Sequence, residues 1–182
     1  ISQKLKLTES RAFRLQKFFY KEYGTTLYGL MKHYKFEPQN FLDFVHNIKF
    51  NTLTKSEELI EKIKILPGKS IIYTNGDKKY ASKILKNLGI LDLFYGIYDI
   101  KKANYLPKPM LTPLKSFLKH YDIEAQNCAY FEDLEKNLEP AHKIGITTFH
   151  ITDKEIKKTT PFIDFRFKTI INALDMIKNS II

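Results

Sequence analysis

Cysteine is almost absent from this chain of 182 residues, which contains one thiol, Cys128. A single thiol excludes an internal disulfide and is typical of a reducing compartment. No run of about 18 apolar residues occurs, so the sequence predicts no membrane-spanning helix. The first residues, Ile1 to Lys4, lack a signal-peptide pattern. We therefore expect a cytoplasmic protein that does not associate with a membrane.

Apolar side chains are plentiful, at 43% of the residues, and aromatic residues make up 14%, so a packed core is feasible. The net charge is +10. Such a balance is found in proteins that bind nucleic acid, but also in proteins whose helices carry scattered, solvated lysines. The lysines here form no dense tract. This pattern favours a small phosphorylated metabolite over nucleic acid as the binding partner.

The chain divides into two parts with different residue patterns. Residues 1–66 show apolar residues at helical spacing, with Thr8 and Ser10 as candidate N-caps and Pro38 at the start of a later helix. They predict a small all-helical domain. Residues 67–182 alternate short apolar runs with helical patterns, which predicts an α/β domain with a parallel sheet and helices on both faces. We expect strands near residues 70–74, 95–100, 127–131, 147–151 and 164–168. We also expect a helix over residues 111–121 and another that follows Glu132-Asp133 and ends before Gly145.

Polar residues follow three of these predicted strands, where open parallel sheets bind their ligands. Thr74-Asn75-Gly76 could hold a phosphate with its hydroxyl, its N–H groups and the amino end of the next helix. An ordinary Asn-Gly turn explains the same residues. Lys108 in Lys108-Pro109 could neutralise a phosphate, or could be one more solvated lysine.

The third polar site is Phe131-Glu132-Asp133. Adjacent acids at the end of an apolar strand are costly unless they are paired or bind a cation. Carboxylates suit Mg²⁺, which takes one or two of them and keeps several waters. The alternative is an acidic pair that opens the next helix.

The order of these three sites is that of motifs II, III and IV of the haloacid dehalogenase (HAD) superfamily, which the chain resembles over most of its length. Further stretches resemble the pyrimidine 5′-nucleotidase branch of that superfamily: Tyr23-Gly24-Thr25-Thr26-Leu27-Tyr28-Gly29-Leu30-Met31, Phe41-Leu42-Asp43-Phe44-Val45-His46, Thr74-Asn75-Gly76-Asp77, Leu88-Gly89-Ile90, Leu93-Phe94 and Asn137-Leu138. The resemblance implies a Rossmannoid HAD core over residues 67–182 and a helical cap over residues 1–66. It also implies a Mg²⁺-dependent phosphatase acting on a pyrimidine nucleoside 5′-monophosphate.

The resemblance also implies roles for matching positions. Thr74 would hold the transferring phosphoryl group, with Asn75, Gly76 and Asp77 in the surrounding loop, and Lys108 would offset charge. The metal ligands would be Asp133 and Glu132. In the cap, which would close over the site and select the leaving group, the expected nucleoside contacts are Tyr23, Thr25, Thr26 and Met31. We expect His33 and His46 to be surface or packing residues.

One part of the family pattern is missing. HAD phosphatases carry Asp-x-Asp-x-Thr/Val after their first strand, and its first aspartate attacks phosphorus. No two aspartates of this chain are spaced in that way. We therefore expect an upstream segment of roughly 15 to 30 residues, placed mid-sheet between the strands that end at Thr74 and Phe131, as the family layout implies; the 182 residues by themselves would be inactive. Leu134 also stands where the family often has serine.

Other functions remain open from the sequence. Within the superfamily these are a sugar-phosphate phosphatase, a phosphomutase and a dehalogenase, although a dehalogenase needs no metal and the acidic pair argues against it. A non-catalytic HAD scaffold that binds a phosphate ligand or a protein is the alternative from another class. The residues do not identify a protein partner.

Overall fold

A computed structural model describes residues 1–48, 53–155 and 159–181. In these ranges no helix has the length and apolar character needed to cross a membrane.

The first part of the described chain is helical, as predicted. Its helices are α1 (Ser2–Leu5), α2 (Glu9–Tyr23), α3 (Thr26–His33), α4 (Pro38–Val45) and α5 (Glu57–Lys64). Hydroxyl side chains set three helix starts, because Thr8, Thr25 and Ser56 each accept a hydrogen bond from a first-turn N–H group. Pro38 stands at the first position of α4, where its missing N–H carries no penalty.

Five short strands follow in the described part of the chain: β1 (Ile71–Tyr73), β2 (Gly96–Tyr98), β3 (Ala129–Glu132), β4 (Thr147–Ile151) and β5 (Phe165–Phe167). All the pairs that they form are parallel, so the predicted sheet type is confirmed. The strands make two groups, β1–β2 and β3–β4–β5. No backbone hydrogen bond joins β1 to β3 in the described residues. Their side chains do meet, since the rings of Tyr73 and Tyr130 lie 6.3 Å apart.

Helices follow most of the strands: α6 (Lys78–Asn87) after β1, α7 (Leu111–Tyr121) after β2, α8 (Glu139–His142) after β3 and α9 (Ile170–Ile181) after β5. The alternation of strand and helix confirms the predicted α/β class. One predicted helix differs. The sequence predicts a helix that follows Glu132-Asp133 and ends before Gly145, but this segment forms a 3₁₀ turn, Glu135–Asn137, and then the single turn α8. Pro140 sits in the first turn of α8, and its ring and missing N–H do not allow a helix to continue through it from Asp133.

Among the described residues, three apolar clusters hold these elements together. The first surrounds Tyr98, Leu114 and Phe117, and joins β1, β2 and β3 to α7. In the second, Ile60 of α5 packs with Leu85 and Ile97, so α5 lies against the α/β part of the molecule. The predicted boundary at residues 66 and 67 stays a prediction.

The third cluster connects the helical part to the loop after β2. Leu27 of α3, Leu42 of α4 and Ile100 are buried together, and Met31 packs against them. Their burial contributes on the order of 2 kcal/mol per side chain. This contact places α3 and α4 over the carboxyl ends of β1 and β2, where the candidate site lies.

Candidate active site

The Lys108 side chain lies between the carboxyl ends of β1 and β3. Its Nζ donates to the carbonyl oxygen of Tyr73 at 3.3 Å and to Oε2 of Glu132 at 2.5 Å. The rings of Tyr73 and Tyr130 flank the ammonium, with centroids 5.4 and 5.7 Å away. Because Thr74 follows Tyr73 and Asp133 follows Glu132, the lysine brings all three predicted sites into one region.

Asn75 holds the backbone of the lysine in place. Its Oδ1 accepts from the Lys108 N–H at 2.8 Å, and its Nδ2 donates to the Lys108 carbonyl oxygen at 3.3 Å. A reciprocal pair of this kind fixes both the distance and the orientation of the two loops. Asn75 therefore positions Lys108 across 33 residues of sequence.

Glu132 is a buried carboxylate whose two oxygens are both bound. Oε2 accepts from Lys108 and from the Tyr130 hydroxyl at 2.8 Å, and Oε1 accepts from the Leu134 N–H at 3.2 Å. Burial alone would raise the pKa of Glu132. The Lys108 charge and the hydrogen bonds from its neighbours outweigh burial and hold this pKa at about 2. Glu132 is therefore ionised at neutral pH and forms an ion pair with Lys108.

Asp133 has a different environment from Glu132, because Asp133 is exposed. A side-chain hydrogen bond with Glu132, partial burial and the Glu132 charge raise the pKa of Asp133. Among the residues that the structure describes, no three His, Cys, Asp or Glu side chains are grouped as a metal site. A carboxylate whose neighbour disfavours its charge gains stability from a nearby cation.

Thr74 and Gly76 form a tight turn at the end of β1. The Thr74 N–H donates to the Tyr98 carbonyl oxygen and so extends the pairing of β1 with β2. Thr74 Oγ1 accepts from the Gly76 N–H at 2.9 Å. The hydroxyl hydrogen of Thr74 has no hydrogen-bond acceptor within the three described ranges. Thr74 can therefore donate to an anion beside Lys108.

The amino end of α6 is occupied by carboxylates of the chain. Asp77 Oδ1 accepts from the Tyr80 N–H at 2.8 Å, and Asp99 Oδ2 accepts from the Lys78 N–H at 2.8 Å. Asp77 is buried and also faces His46, with 3.3 Å between Oδ1 and Nδ1. These contacts leave Thr74 and Lys108, rather than the amino end of α6, available to an anion.

The loop between α2 and α3 meets the Lys108 loop at Gly24. Gly24 has a φ of +80°, and a Cβ built on it would lie 2.8 Å from the Lys108 carbonyl oxygen. Only glycine allows both this conformation and this approach. Next to it, the Tyr23 hydroxyl is 2.6 Å from His33 Nε2 in an aromatic group on α2 and α3, and Met31 packs in the third apolar cluster. Neither Tyr23 nor Met31 lines the cavity described next.

A cavity of about 210 Å³ lies between α3, α4 and the end of β1. Its polar lining is Thr25, Thr26, His46 and Asn75. Aliphatic and aromatic side chains form the rest: Tyr20, Leu27, Phe41, Leu42, Val45 and Ile100. The oxygens of Thr25 and Thr26 are partly engaged, since Thr25 caps α3 and Thr26 donates to the Gln16 carbonyl oxygen. A larger cavity of about 460 Å³ is lined by Gly145, Thr147 and Phe165, at the amino ends of β4 and β5 and away from Lys108.

A family model of haloacid dehalogenase-like hydrolases matches residues 10–151, more than three quarters of the chain. The chain belongs to this family. It is therefore a hydrolase of the HAD superfamily, and the family predicted from the sequence is confirmed.

Solved structures share the fold of this HAD hydrolase. An HAD phosphatase from Thermococcus onnurineus is 18% identical, with a TM-score of 0.64 over 97% of this chain and 84% of that one. The magnesium-bound structure of YfnB from Bacillus subtilis is 14% identical, with a TM-score of 0.63 over 97% and 87%. An L-2-haloacid dehalogenase from Xanthobacter autotrophicus, with chloropropionic acid covalently bound, is 14% identical, with a TM-score of 0.61 over 84% and 72%. These likenesses show the fold alone, and site residues must distinguish a phosphatase from a dehalogenase.

The sequence assigned no site role to four residues of this region. Gly24 contacts the Lys108 loop, Tyr130 donates to Glu132, and His46 lines the cavity. Asn137 is buried, and its Oδ1 has no partner in the described ranges. Helical and strand periodicity carries no signal for such positions, because each owes its role to a contact made across the fold.

Proposed function

We propose that the full-length natural protein is a Mg²⁺-dependent phosphomonoesterase with a preference for pyrimidine nucleoside 5′-monophosphates. The Lys108 ammonium carries this proposal, because it is held at the carboxyl ends of β1 and β3 by contacts with Tyr73 and Glu132, the residues that precede Thr74 and Asp133. A cation and a hydroxyl donor suit a phosphate dianion better than the carboxylate of a haloacid, which has one charge fewer. The proposed setting is the cytoplasm, where Cys128 stays reduced.

Each side chain has a task in this proposal. Lys108 binds the non-bridging phosphate oxygens, and Thr74 donates a hydrogen bond to one of them. Glu132 and Tyr130 hold the Lys108 ammonium, while Asn75 holds its backbone. Preorganised donors of this kind stabilise charge that develops on the phosphoryl group without a cost of reorganisation.

Asp133 is the proposed ligand of Mg²⁺. It is exposed and its pKa is raised by Glu132, whereas both oxygens of Glu132 are already bound by donors of the chain. Asn137 Oδ1, four residues after Asp133, is a buried oxygen with no partner in the part of the chain described. When bound, Mg²⁺ would supply neutralisation of phosphate charge.

The nucleophile is proposed to be an aspartate of an Asp-x-Asp-x-Thr segment outside residues 1–182. The edges of β1 and β3 that face each other support this, since no backbone hydrogen bond joins these strands in the described chain. A strand paired with both would bring its carboxyl end next to Lys108. The 210 Å³ cavity beside Asn75 is where we place the nucleoside, with Phe41 and Tyr20 available to contact its base.

Phosphate release by the full-length protein tests the proposal. Nucleoside 5′-monophosphates, sugar phosphates and a 2-haloacid are supplied with Mg²⁺ or with EDTA, and phosphate and chloride are measured. We expect Mg²⁺-dependent phosphate release that is fastest with pyrimidine nucleotides. Lys108→Met and Asp133→Asn should each lower kcat/KM by at least about 100-fold, since one preorganised charge contact contributes about 3 kcal/mol.

Lys119→Met is the matched control, because it removes the same charge from an exposed position on α7. It should retain full activity. Chloride release without a metal would replace the proposal with a dehalogenase. Binding of phosphate without turnover of any ester would replace it with a non-catalytic scaffold.

A further inference from the structure

His46 lies at the carboxyl end of α4, where its N–H donates to the Leu42 carbonyl oxygen at 2.9 Å. This position turns the imidazole toward the end of β1. The ring lines the 210 Å³ cavity together with Asn75, and 16% of its side chain is exposed. His46 is thus a polar group of the cap that lies next to the proposed phosphate loop.

Two contacts hold the ring. It stacks on Tyr80, with centroids 4.1 Å apart and planes at 13°, and Nδ1 lies 3.3 Å from Asp77 Oδ1. Asp77 is itself fixed, because the same oxygen caps α6 through the Tyr80 N–H. The imidazole therefore has a defined orientation before any ligand arrives.

The carboxylate of Asp77 determines which nitrogen carries the proton. Nδ1 is buried and forms no hydrogen bond within the described ranges, but a lone pair there would face the Asp77 carboxylate at 3.3 Å, which favours the hydrogen on Nδ1. Burial lowers the pKa of His46. The carboxylates of Asp77 and Asp43 raise this pKa, and the charge of Lys101 lowers it slightly, but burial is the largest effect. At neutral pH the ring is then uncharged, and Nε2 carries a lone pair.

Nε2 is the atom left for a ligand. It lies 3.8 Å from the position that a Cβ would take on Gly76, which follows the cavity residue Asn75. Neither ring nitrogen forms a hydrogen bond with a described residue, and Nδ1, unlike Nε2, is fully buried. An acceptor with a fixed orientation on the wall of a largely apolar cavity discriminates between ligands, because an unmatched polar group there is costly.

We propose that His46 is a specificity-determining residue, whose Nε2 accepts a hydrogen bond from an O–H or N–H donor on the leaving group of the substrate. This assignment rests on the proposed phosphatase function and deepens it. Substrates whose leaving group carries a sugar hydroxyl or a base N–H at this point gain the bond. Esters without a donor do not.

Two substitutions separate the roles of the two ring nitrogens. His46→Asn keeps an N–H group near the place of Nδ1, facing Asp77, but has no acceptor at the place of Nε2. His46→Gln puts its amide group near the place of Nε2 and can turn the amide oxygen toward the ligand. His120→Asn, on α7 and outside the cavity, is the matched control.

The full-length protein and these variants are compared on uridine 5′-monophosphate and on p-nitrophenyl phosphate, whose leaving group has no donor. We expect His46→Asn to lower kcat/KM for the nucleotide by about tenfold, the effect of one hydrogen bond, and to leave p-nitrophenyl phosphate within about twofold. His46→Gln should recover part of the loss. An equal loss on both esters would show a structural role and overturn the proposal, as would no loss on either.

A second readout distinguishes failure of this inference from failure of the proposed function. If the unaltered protein hydrolyses neither ester, the phosphatase proposal fails, and NMR of the histidine ring nitrogens with added uridine decides the role of His46. A change in the His46 Nε2 resonance, with the His120 signals constant, supports the assignment. Constant His46 signals at saturating uridine would overturn it.

Discussion

Replacing Lys108 by methionine should destabilise the folded protein, because it leaves Glu132 as an unpaired buried charge. The two side chains are 13% and 5% exposed, and their charged atoms lie 2.5 Å apart. Methionine keeps most of the length of the lysine stem, so the change removes the charge with little loss of packing. The effect should therefore be electrostatic.

The magnitude follows from the pKa of Glu132. Holding it at about 2 rather than 4.5 corresponds to roughly 3 kcal/mol. Breaking a buried ion pair by removing one partner costs about 3 to 5 kcal/mol, which agrees. Because the folded pKa lies below the unfolded one, this stabilisation is complete at pH 7 and is lost as the pH falls from about 4.5 through about 2.

Urea unfolding at pH 7 with EDTA measures the loss of unfolding free energy in Lys108→Met without any contribution from bound metal. The double variant Lys108→Met with Glu132→Gln removes both charges, and it should be more stable than Lys108→Met alone by at least about 2 kcal/mol. Lys119→Met should change the free energy of unfolding by less than about 0.5 kcal/mol. A loss below about 1 kcal/mol for Lys108→Met, with no recovery in the double variant, would refute the argument.

Three further predictions concern the surroundings of Lys108. Gly24→Ala should destabilise by about 1 to 3 kcal/mol more than Gly68→Ala in thermal unfolding, since both residues have a positive φ but only a Cβ on Gly24 meets another backbone atom; equal losses would contradict the close approach. Asn75→Ala should cost about 1 to 3 kcal/mol and lower kcat more than KM changes, because two hydrogen bonds that fix the Lys108 backbone are lost; a rise in KM alone would argue for a direct substrate contact instead. The pKa of His46 is lowered in the folded protein, so the unfolded chain takes up this proton first, and stability should fall as the pH drops from about 6.5 to the folded pKa. Melting temperatures between pH 5 and 8 should show this fall in the unaltered protein and a smaller one in His46→Asn.

Local chemistry was enough to predict most of the secondary structure. The spacing of apolar residues predicted α7 over residues 111–121 and β4 over residues 147–151, and both are observed with those bounds. These patterns work because burial on one face, capping and strand propensity act over a few residues. The helix predicted after Asp133 is not observed as one continuous helix, because Pro140 interrupts it despite the apolar periodicity around it.

The candidate site was predicted in outline for a topological reason. Parallel strands align their carboxyl ends, so Thr74, Lys108 and Asp133 could be placed together from the order of strands alone. The order of the strands does not predict which role each of these residues has within the site. Glu132 and Asp133 are neighbours in sequence, yet one is buried in an ion pair and the other is exposed. Burial depends on what the rest of the chain places around each carboxylate.

By itself, the sequence determined the class of fold, the family and the positions of the polar strand ends. Tertiary structure alone decided that Asn75 holds the Lys108 backbone, that Gly24 lies against the same loop, and that His46 faces Asp77 beside a cavity. These contacts join residues about 30 to 85 positions apart. Hydrogen bonds and steric contacts act over only a few ångströms, so residues this far apart in sequence interact only after the chain has folded and brought them together.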